Sequence, residues 1–183
     1  MKGILMVVSG PSGVGKGTLV KTLVKRREDV VESVSCTTRA PREGEVHGRE
    51  YYFLTKQEFQ KRIDEGDFLE YDEHFGNFYG TPKSFVKEQL ENKSVILEID
   101  VVGALNAKKA FPQSVLVMIA PPSVEELKRR LVGRGTETEE EIAKRLSRLE
   151  YELSHKEQYD KVVVNDDLDR ALEELENILD GKA

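Results

Sequence analysis

The stretch that decides the fold is VVSGPSGVGKGTLVKTL, residues 7–23, which nearly matches a phosphate-binding loop. The pattern G-x-x-x-x-G-K-[ST] fits from Gly10 to Lys16, but Gly17 stands where a magnesium-ligating hydroxyl is usual, and Thr18 follows it. Glycines let the backbone wrap round an anion, and the amides at the start of a helix then point at it. With an apolar run before the loop and helical spacing after it, the stretch predicts a strand, a nucleotide-phosphate loop and a helix. The alternative is a glycine-rich turn with an exposed lysine.

Composition predicts one acidic globular domain. The 183 residues carry 28 Lys and Arg against 34 Asp and Glu, a formal net charge of -6. This charge disfavours non-specific binding to nucleic acid or membrane surfaces, so an anionic ligand must be held by local basic clusters. Cys36 is the only cysteine, and no apolar run is long enough for a signal-peptide core or a membrane span. We expect a soluble, cytoplasmic protein, acting as a monomer or homodimer, without nucleic-acid or membrane partners.

Short apolar runs alternate with amphipathic stretches. The runs at 4–8, 95–99, 115–119 and 162–164 are rich in β-branched residues and predict strands covered on both faces. Strands alternating with helices predict an α/β doubly wound parallel sheet with right-handed crossovers. Residues 33–80 break the rhythm with short strands joined by polar loops, so we interpret them as an inserted β-rich substrate module.

Helix starts and helix faces can also be located. Capping-box patterns occur at Thr55 with Glu58, Ser123 with Glu126, and Thr138 with Glu141, and Pro82 is expected at a first helical position. Apolar spacing predicts one amphipathic helix through Ile142, Leu146, Leu149 and Leu153, and a last one through Leu168, Ala171, Leu172, Leu175, Ile178 and Leu179.

Two groups of arginines indicate which kind of ligand lies beside the loop. Arg39 and Arg42 lie in TTRAPREG, and the hydroxyls of Tyr51 and Tyr79 could face the same anion. A second group brackets GRGTETEEE: Arg130, Arg134, Arg145 and Arg148. For Arg130 and Arg148 the alternative is a solvated helix face. Two anion clusters beside a phosphate loop predict two phosphorylated ligands that face each other.

The chain resembles the guanylate kinases, members of the nucleoside monophosphate kinase family. The segments that carry the resemblance are GPSGVGKGT, SVSCTTRAPREGEVHGREYYF, FLEYDEHFGNFYGTP, ILEIDVVGA, IAPPSVEELKRRLVGRGTETEEEIAKRL and YDKVVVNDDLDRA. The resemblance implies one domain, 1–183, with a P-loop NTPase core at 1–32, 84–125 and 155–183. It also implies a β-rich GMP-binding module at 33–83 and a helical lid at 126–154. The implied reaction is ATP-dependent phosphorylation of GMP, and of dGMP, with Mg²⁺.

The resemblance also implies residue roles. For GMP these are Ser35, Arg39, Arg42, Tyr51, Glu70, Tyr79, Thr81 and Asp100, with the phosphate at Arg39, Arg42, Tyr51 and Tyr79 and the guanine at Ser35, Glu70 and Thr81. For ATP they are Gly10, Pro11, Ser12, Gly13, Val14, Gly15, Lys16, Gly17, Thr18 and Arg134, with Asn165 beside the adenine. The implied catalytic residues are Lys16, Arg39, Arg134 and Arg145, and Thr18 and Asp100 lie near the metal, directly or through water.

The chemistry of such a transfer agrees with the residue types. A phosphate monoester has a second pKa of about 6, so the attacking oxygen is ionised at neutral pH and needs no general base. The three histidines, His47, His74 and His155, show no catalytic or metal-ligand spacing. Asp100 follows the apolar run VILEI and so lies at the carboxyl end of the predicted strand, where an acid can face the ligand crevice. Glu98, on the same face of that strand, is a second candidate acid for the crevice.

Gly17 departs from the serine that many guanylate kinases carry, and GKGT resembles the loop of the active adenylate kinases. Glycine therefore does not imply a dead site, but it removes one side-chain ligand of magnesium. Two alternatives remain open: a kinase for another nucleoside monophosphate, and a non-catalytic guanylate kinase-like module that binds a protein.

Overall fold

The computed structural model describes residues 3–74, 76–125, 127 and 139–182. The strands are β1 Leu5–Ser9, β2 Val30–Glu32, β3 Cys36–Thr37, β4 Tyr52–Phe53, β5 Phe68–His74, β6 Asn77–Pro82, β7 Ser94–Glu98, β8 Val115–Ala120 and β9 Lys161–Val164. The helices are α1 Lys16–Arg26, α2 Lys56–Asp64, α3 Lys83–Gln89, α4 Val101–Ala110, α5 Glu139–Ser154 and α6 Leu168–Leu179, with a 3₁₀ turn at Lys156–Gln158.

The larger sheet has five parallel strands in the order β2-β7-β1-β8-β9. Every residue of β1 is buried, and apolar clusters lie on both faces of the sheet. One cluster packs beneath α1 and α6, the other beneath α3 and α4. This confirms the predicted doubly wound core and its four predicted strands. Because the strands are parallel, β1, β7 and β8 end at the same edge of the sheet.

The second sheet has four strands in the order β4-β3-β6-β5 and confirms the predicted β-rich insertion. Its small core is centred on Cys36, Phe59 and Phe68. An added Cβ at Gly80 would lie 2.8 Å from the Phe68 ring and 3.0 Å from the Phe59 ring, so the close approach requires glycine. Cys36 is a free thiol, and burial raises its pKa to about 11.

A bulge in β5 determines where its side chains point. The pairing with β6 shifts between Phe68 and Glu70, and all three residues 68–70 are buried. Phe68 joins the small core of the second sheet, while Leu69 joins a core cluster of the larger sheet. Regular alternation would place Glu70 on the same face as Phe68, in the apolar core of the second sheet. The bulge instead lets the Glu70 carboxylate face the hydroxyl of Thr81.

The helices mostly follow the predictions. Thr55 and Glu58 form the predicted capping box, and α6 buries the predicted apolar face except Leu168, which is 41% exposed. Pro82 was expected inside α3 but is its N-cap, because β6 continues to that residue with extended ψ of 121°. The capping pairs at 123–126 and 138–141 lie partly outside the described residues. Within the described ranges, no helix has the length and apolar character needed to cross a membrane.

Candidate active site

A cavity of about 520 Å³ opens at the carboxyl ends of β1 and β7, where ligands bind in open α/β sheets. The larger sheet, the second sheet and α5 all contribute to its wall. The lining residues are Gly10, Pro11, Ser12, Lys16, Ser35, Tyr51, Glu70, Asp72, Tyr79, Gly80, Glu98, Ile99, Asp100, Gly103, Arg148, Leu149 and Glu152. The structure therefore brings predicted residues of the phosphate loop and of the inserted module to one place.

The loop between β1 and α1 has the predicted strand–loop–helix form. Lys16 is the first residue of α1, and its Nζ donates hydrogen bonds to the carbonyl oxygens of Gly10 at 2.6 Å and Pro11 at 3.0 Å. Burial lowers the pKa of Lys16, while the carboxylate of Glu98 opposes this shift. The ammonium group is thus anchored over the loop, where a bound phosphate would meet it.

Asn165, which is predicted beside the adenine, contacts the loop between β1 and α1. Its Nδ2 donates to the carbonyl oxygen of Val14 at 2.8 Å. Gly15 has a φ of 96°, and an added Cβ there would lie 2.6 Å from the same Nδ2. The left-handed backbone conformation therefore favours glycine at position 15, and a larger side chain there would also displace the amide of Asn165.

A second groove, of about 460 Å³, runs along the outer side of the loop. Its wall includes Thr18, Lys21 and Glu98, whereas Asp100 lines the first cavity. The structure thus does not bring the predicted metal residues Thr18 and Asp100 to one cavity; the carboxylate that shares the groove with Thr18 is Glu98.

The oxygen donors in this groove fit a magnesium ion that arrives with a nucleotide. Thr18 offers a hydroxyl and Glu98 a carboxylate, both hard oxygen ligands of the type that Mg²⁺ prefers. No group of three or more His, Cys, Asp or Glu able to hold a metal occurs among the described residues. Because Mg²⁺ keeps several waters and takes ligands from substrate phosphates, one or two protein oxygens suffice.

Asp100 connects the sheet to α5. One of its oxygens accepts the backbone N–H of Gly103 at 2.8 Å and so caps α4, and the other lies 3.7 Å from Arg148. Arg148 also donates from Nε to Glu152 at 3.1 Å. Arg148 and Glu152 both line the cavity; Arg148 belongs to the second arginine group of the sequence, whereas Glu152 was not predicted. Their spacing of one helical turn was the available signal, but it is equally common on solvated faces.

Glu70 supplies the carboxylate of the predicted guanine site, and its side chain is almost fully enclosed. It is 9% exposed and accepts a hydrogen bond from the Thr81 hydroxyl at 2.6 Å. Burial raises the pKa of Glu70 and the charge of Asp100 adds to the rise, while the Thr81 bond opposes it. Ser35, predicted for the same base, also lines the cavity.

The predicted phosphate site is partly assembled. Arg39 pairs with Glu45 through two hydrogen bonds of 2.9 and 3.0 Å, and its guanidinium lies 5.5 Å from the centre of the Tyr51 ring. Tyr51 and Tyr79 line the cavity with their ring centres 6.0 Å apart. Arg42 is exposed and contributes its backbone N–H to Glu45 at 2.7 Å, and neither Arg39 nor Arg42 lines the cavity.

The predicted lid arginines Arg134 and Arg145 cannot be placed in the cavity. Arg134, like Arg130, lies outside the described residues, and of Arg145 only the backbone, in α5, is among them. The lid at 126–154 therefore stays a prediction.

Comparisons with known proteins agree on one family. A family model described as guanylate kinase matches residues 2–182. The guanylate kinase of Caldanaerobacter subterraneus subsp. tengcongensis is 49% identical over 97% of this chain and 87% of its own. That of Synechocystis sp. is 52% identical over 98% of this chain and 94% of its own.

Solved structures give the same result. The guanylate kinase from Anaplasma phagocytophilum superposes with a TM-score of 0.77 at 36% identity, over 98% of this chain and 86% of that chain. A shikimate kinase from Bacteroides thetaiotaomicron has a TM-score of 0.51 at 16% identity, over 97% of this chain and 98% of that chain. The second match shows the fold alone.

Proposed function

This chain belongs to the guanylate kinase family, whose members transfer a phosphoryl group from ATP to GMP, and from that membership we propose how its cavities divide the two nucleotides. The loop from Gly10 to Thr18 binds the ATP phosphates. The 520 Å³ cavity binds GMP, with guanine at Glu70 and the phosphate toward Tyr51, whose ring centre lies 5.5 Å from the guanidinium of Arg39. The full-length match to named guanylate kinases gives no support to a non-catalytic module or to a kinase for another monophosphate.

The observation that carries the assignment of GMP is the buried carboxylate of Glu70, oriented by Thr81. Guanine presents two adjacent donors, N1–H and the exocyclic N2–H, which a carboxylate accepts together. Adenine presents an acceptor at N1 and no amino group at position 2. A buried carboxylate that faces adenine would lose both bonds, and each bond to a charged group is worth roughly 1.5–3 kcal/mol. Glu70 therefore selects for guanine.

The transfer itself depends on alignment and charge. The GMP phosphate is largely dianionic at neutral pH and attacks without a base. Lys16 and the loop amides would stabilise the charge on the transferred group, and Arg39 with Tyr51 and Tyr79 would fix the attacking phosphate. The roles of Arg134 and Arg145 in closing over that group rest on the family resemblance. These side chains bind and orient; none moves a proton.

Members of the family use ATP and generally a divalent metal. We propose that the metal here is Mg²⁺, because the oxygen donors beside the loop suit it. When bound, Mg²⁺ neutralises charge on the ATP phosphates. Thr18 and Glu98 are the residues that would hold it, with Asp100 further away at the cap of α4.

Location, assembly and domain division also remain proposals. The single cysteine is buried and unpaired, which supports the cytoplasmic location predicted from composition. A monomer or homodimer, activity on dGMP, and the division into core 1–32, 84–125 and 155–183, module 33–83 and lid 126–154 stay predictions.

A coupled assay of ADP formation tests the substrate assignment. We expect GMP to be phosphorylated with a kcat/KM roughly 10³-fold or more above those for AMP, UMP and CMP, because a site built to pair with guanine donors leaves its buried carboxylate unpaired with other bases. Comparable rates with AMP and GMP would contradict the role of Glu70. Omission of the acceptor nucleotide measures background ATP hydrolysis.

Gly103→Ala is expected to weaken GMP binding selectively. An added Cβ would lie 3.1 Å from Glu70 Oε2 and 3.3 Å from Asp100 Oδ1, so it should push the carboxylate proposed to bind guanine by a few tenths of an ångström. We expect the KM for GMP to rise about tenfold, an effect of the size of one charged hydrogen bond, with the KM for ATP unchanged.

Gly103 lies within α4 at ordinary helical φ, where alanine is otherwise favourable, so Gly103→Ala should not unfold the protein. Val102→Ala, at the exposed neighbouring position of the same helix, also raises helix propensity and is the matched control. An unchanged KM for GMP in Gly103→Ala would place guanine away from Glu70.

A further inference from the structure

Asp72 is a carboxylate of the 520 Å³ cavity with no role in the proposed binding of guanine or phosphate. It lies on β5 two residues beyond Glu70, and both side chains line the cavity. Across the two strands, Glu70 is paired with Thr81. Asp72 is paired with Tyr79. Opposed residues of an antiparallel pair project on the same face, as do residues i and i+2 of one strand, so these four side chains form two successive rungs on one face of the second sheet.

The two rungs correspond to the two ends of the proposed GMP. The rung of Glu70 lies at the guanine end. Tyr79 lies at the phosphate end, because its ring centre is 6.0 Å from that of Tyr51 and its hydroxyl interacts with the guanidinium of Arg39. Two residues of a strand rise about 7 Å, and the ribose joins the base to the phosphate in a nucleotide. The long side chain of Tyr79 reaches on toward the phosphate, whereas the short side chain of Asp72 ends at the level of the ribose.

The chemistry of a carboxylate narrows the ligand of Asp72 further. A carboxylate repels a phosphate dianion, so Asp72 does not bind the phosphate. An ionised carboxylate only accepts hydrogen bonds, and the donors of GMP are N1–H and the amino group of guanine and the two hydroxyls of the ribose. Glu70 accepts N1–H and one amino hydrogen. The ribose hydroxyls and the second amino hydrogen remain, and of these the hydroxyls lie toward the rung of Tyr79.

The surroundings of Asp72 also favour a bound donor. Asp72 is half-buried, and its Oδ1 accepts the backbone N–H of Glu73 at 2.7 Å. This bond orients the carboxylate and uses one of about four acceptor positions. Burial is the main cause of the raised pKa of Glu70, and the charge of Asp72 adds to it, so the two carboxylates lie close together. Neighbouring like charges are unfavourable, and a nucleoside that offers donors to both offsets this cost.

We propose that Asp72 accepts hydrogen bonds from the ribose hydroxyls of GMP, the 2′-hydroxyl among them, and so makes the ribonucleotide the preferred acceptor over the deoxyribonucleotide. This inference rests on the proposed binding of GMP in the 520 Å³ cavity. dGMP keeps the guanine, the phosphate and the 3′-hydroxyl and lacks one donor. The predicted activity on dGMP is therefore retained, at a lower kcat/KM.

The ratio of kcat/KM for GMP to kcat/KM for dGMP tests this role. For the unaltered protein we expect a ratio of about ten, the effect of one hydrogen bond to a charged group. Asp72→Ala should bring the ratio close to one, because only GMP loses a bond. Removal of a charge beside Glu70 acts on both substrates alike and cancels in the ratio.

Two further variants keep the test specific. Asp72→Asn retains the size of the side chain and one acceptor oxygen, so it should give an intermediate ratio even if Asp72→Ala fails to fold. Glu73→Ala is the matched control. Glu73 is the next residue of β5, is exposed and does not line the cavity, so its loss should leave the ratio unchanged.

Inosine monophosphate, which lacks the amino group of guanine, distinguishes the remaining donors. If Asp72→Ala narrows the preference for GMP over inosine monophosphate and leaves the ratio of GMP to dGMP unchanged, Asp72 binds the amino group and the ribose assignment is wrong. A ratio of GMP to dGMP near one in the unaltered protein, or one that both Asp72 variants leave unchanged, also overturns the inference. In each of these outcomes GMP is still phosphorylated and the proposed function stands. A protein that phosphorylates neither nucleotide contradicts the proposed function, and the inference with it.

Discussion

Lys16→Ala is expected to lower kcat about 10²–10³-fold or more, the usual effect of removing one group that stabilises charge in a transition state. Lys16 supplies the positive charge of the loop proposed to bind the ATP phosphates, and its Nζ is anchored by two loop carbonyls at 2.6 and 3.0 Å. Steady-state rates at saturating ATP and GMP measure the loss.

The fold should survive this change. Lys16 lies at the start of α1, is only partly buried, and bonds to carbonyls that water can reach once the side chain is gone. The melting temperature should therefore change little. Lys21→Ala, a basic residue of the same helix that lines the outer groove but bonds to no loop carbonyl in the described structure, is the comparison for loss of charge alone. A Lys16→Ala enzyme with near-normal turnover would contradict the assignment.

Glu70→Gln should raise the KM for GMP strongly and narrow the preference for GMP over AMP. The amide keeps the size of the side chain but replaces one acceptor with an NH₂ that faces a guanine donor. Loss of one or two bonds to a charged group, at roughly 1.5–3 kcal/mol each, corresponds to about 10-fold to 10⁴-fold in KM. Binding of ATP should stay nearly unchanged. Unaltered GMP kinetics would remove Glu70 from the site.

The pH dependence of GMP binding supplies the control. Burial raises the pKa of Glu70, and only the ionised form accepts both guanine donors. As the pH falls through that raised pKa, the KM for GMP should increase. The GMP phosphate, with a pKa of about 6, titrates in the same direction. Glu70→Gln keeps the phosphate titration and loses the carboxylate contribution, so the pH profile of the variant should be flatter.

Much of the fold follows from patterns that physical chemistry ties to one structure. The apolar run at 4–8, the glycines after it and the helical spacing beyond define β1, the loop and α1, because few other conformations satisfy all three. The interruption of this rhythm after residue 32 likewise predicted the second sheet.

The details of the site depend on contacts between distant segments, which local patterns do not contain. Glu70 could have pointed to solvent; a bulge in β5 turned it inward. Asp100 was predicted to lie near the metal because it follows a strand, but the same position makes it the N-cap of α4. The carboxylate of Glu98 lies near Gly17 because β7 is paired with β1, and this proximity is not visible in the sequence.

The pairing of Arg39 with Glu45 has a consequence for how the phosphate of GMP is recognised. Because the guanidinium already holds a carboxylate through two hydrogen bonds, an arriving phosphate meets a cation whose charge is partly neutralised. The phosphate must either use the N–H donors that Glu45 leaves or displace Glu45. A nucleoside without a phosphate can do neither. We therefore expect Glu45→Gln, which removes the competing charge, to change the affinity for the phosphate while contacts at the base stay the same.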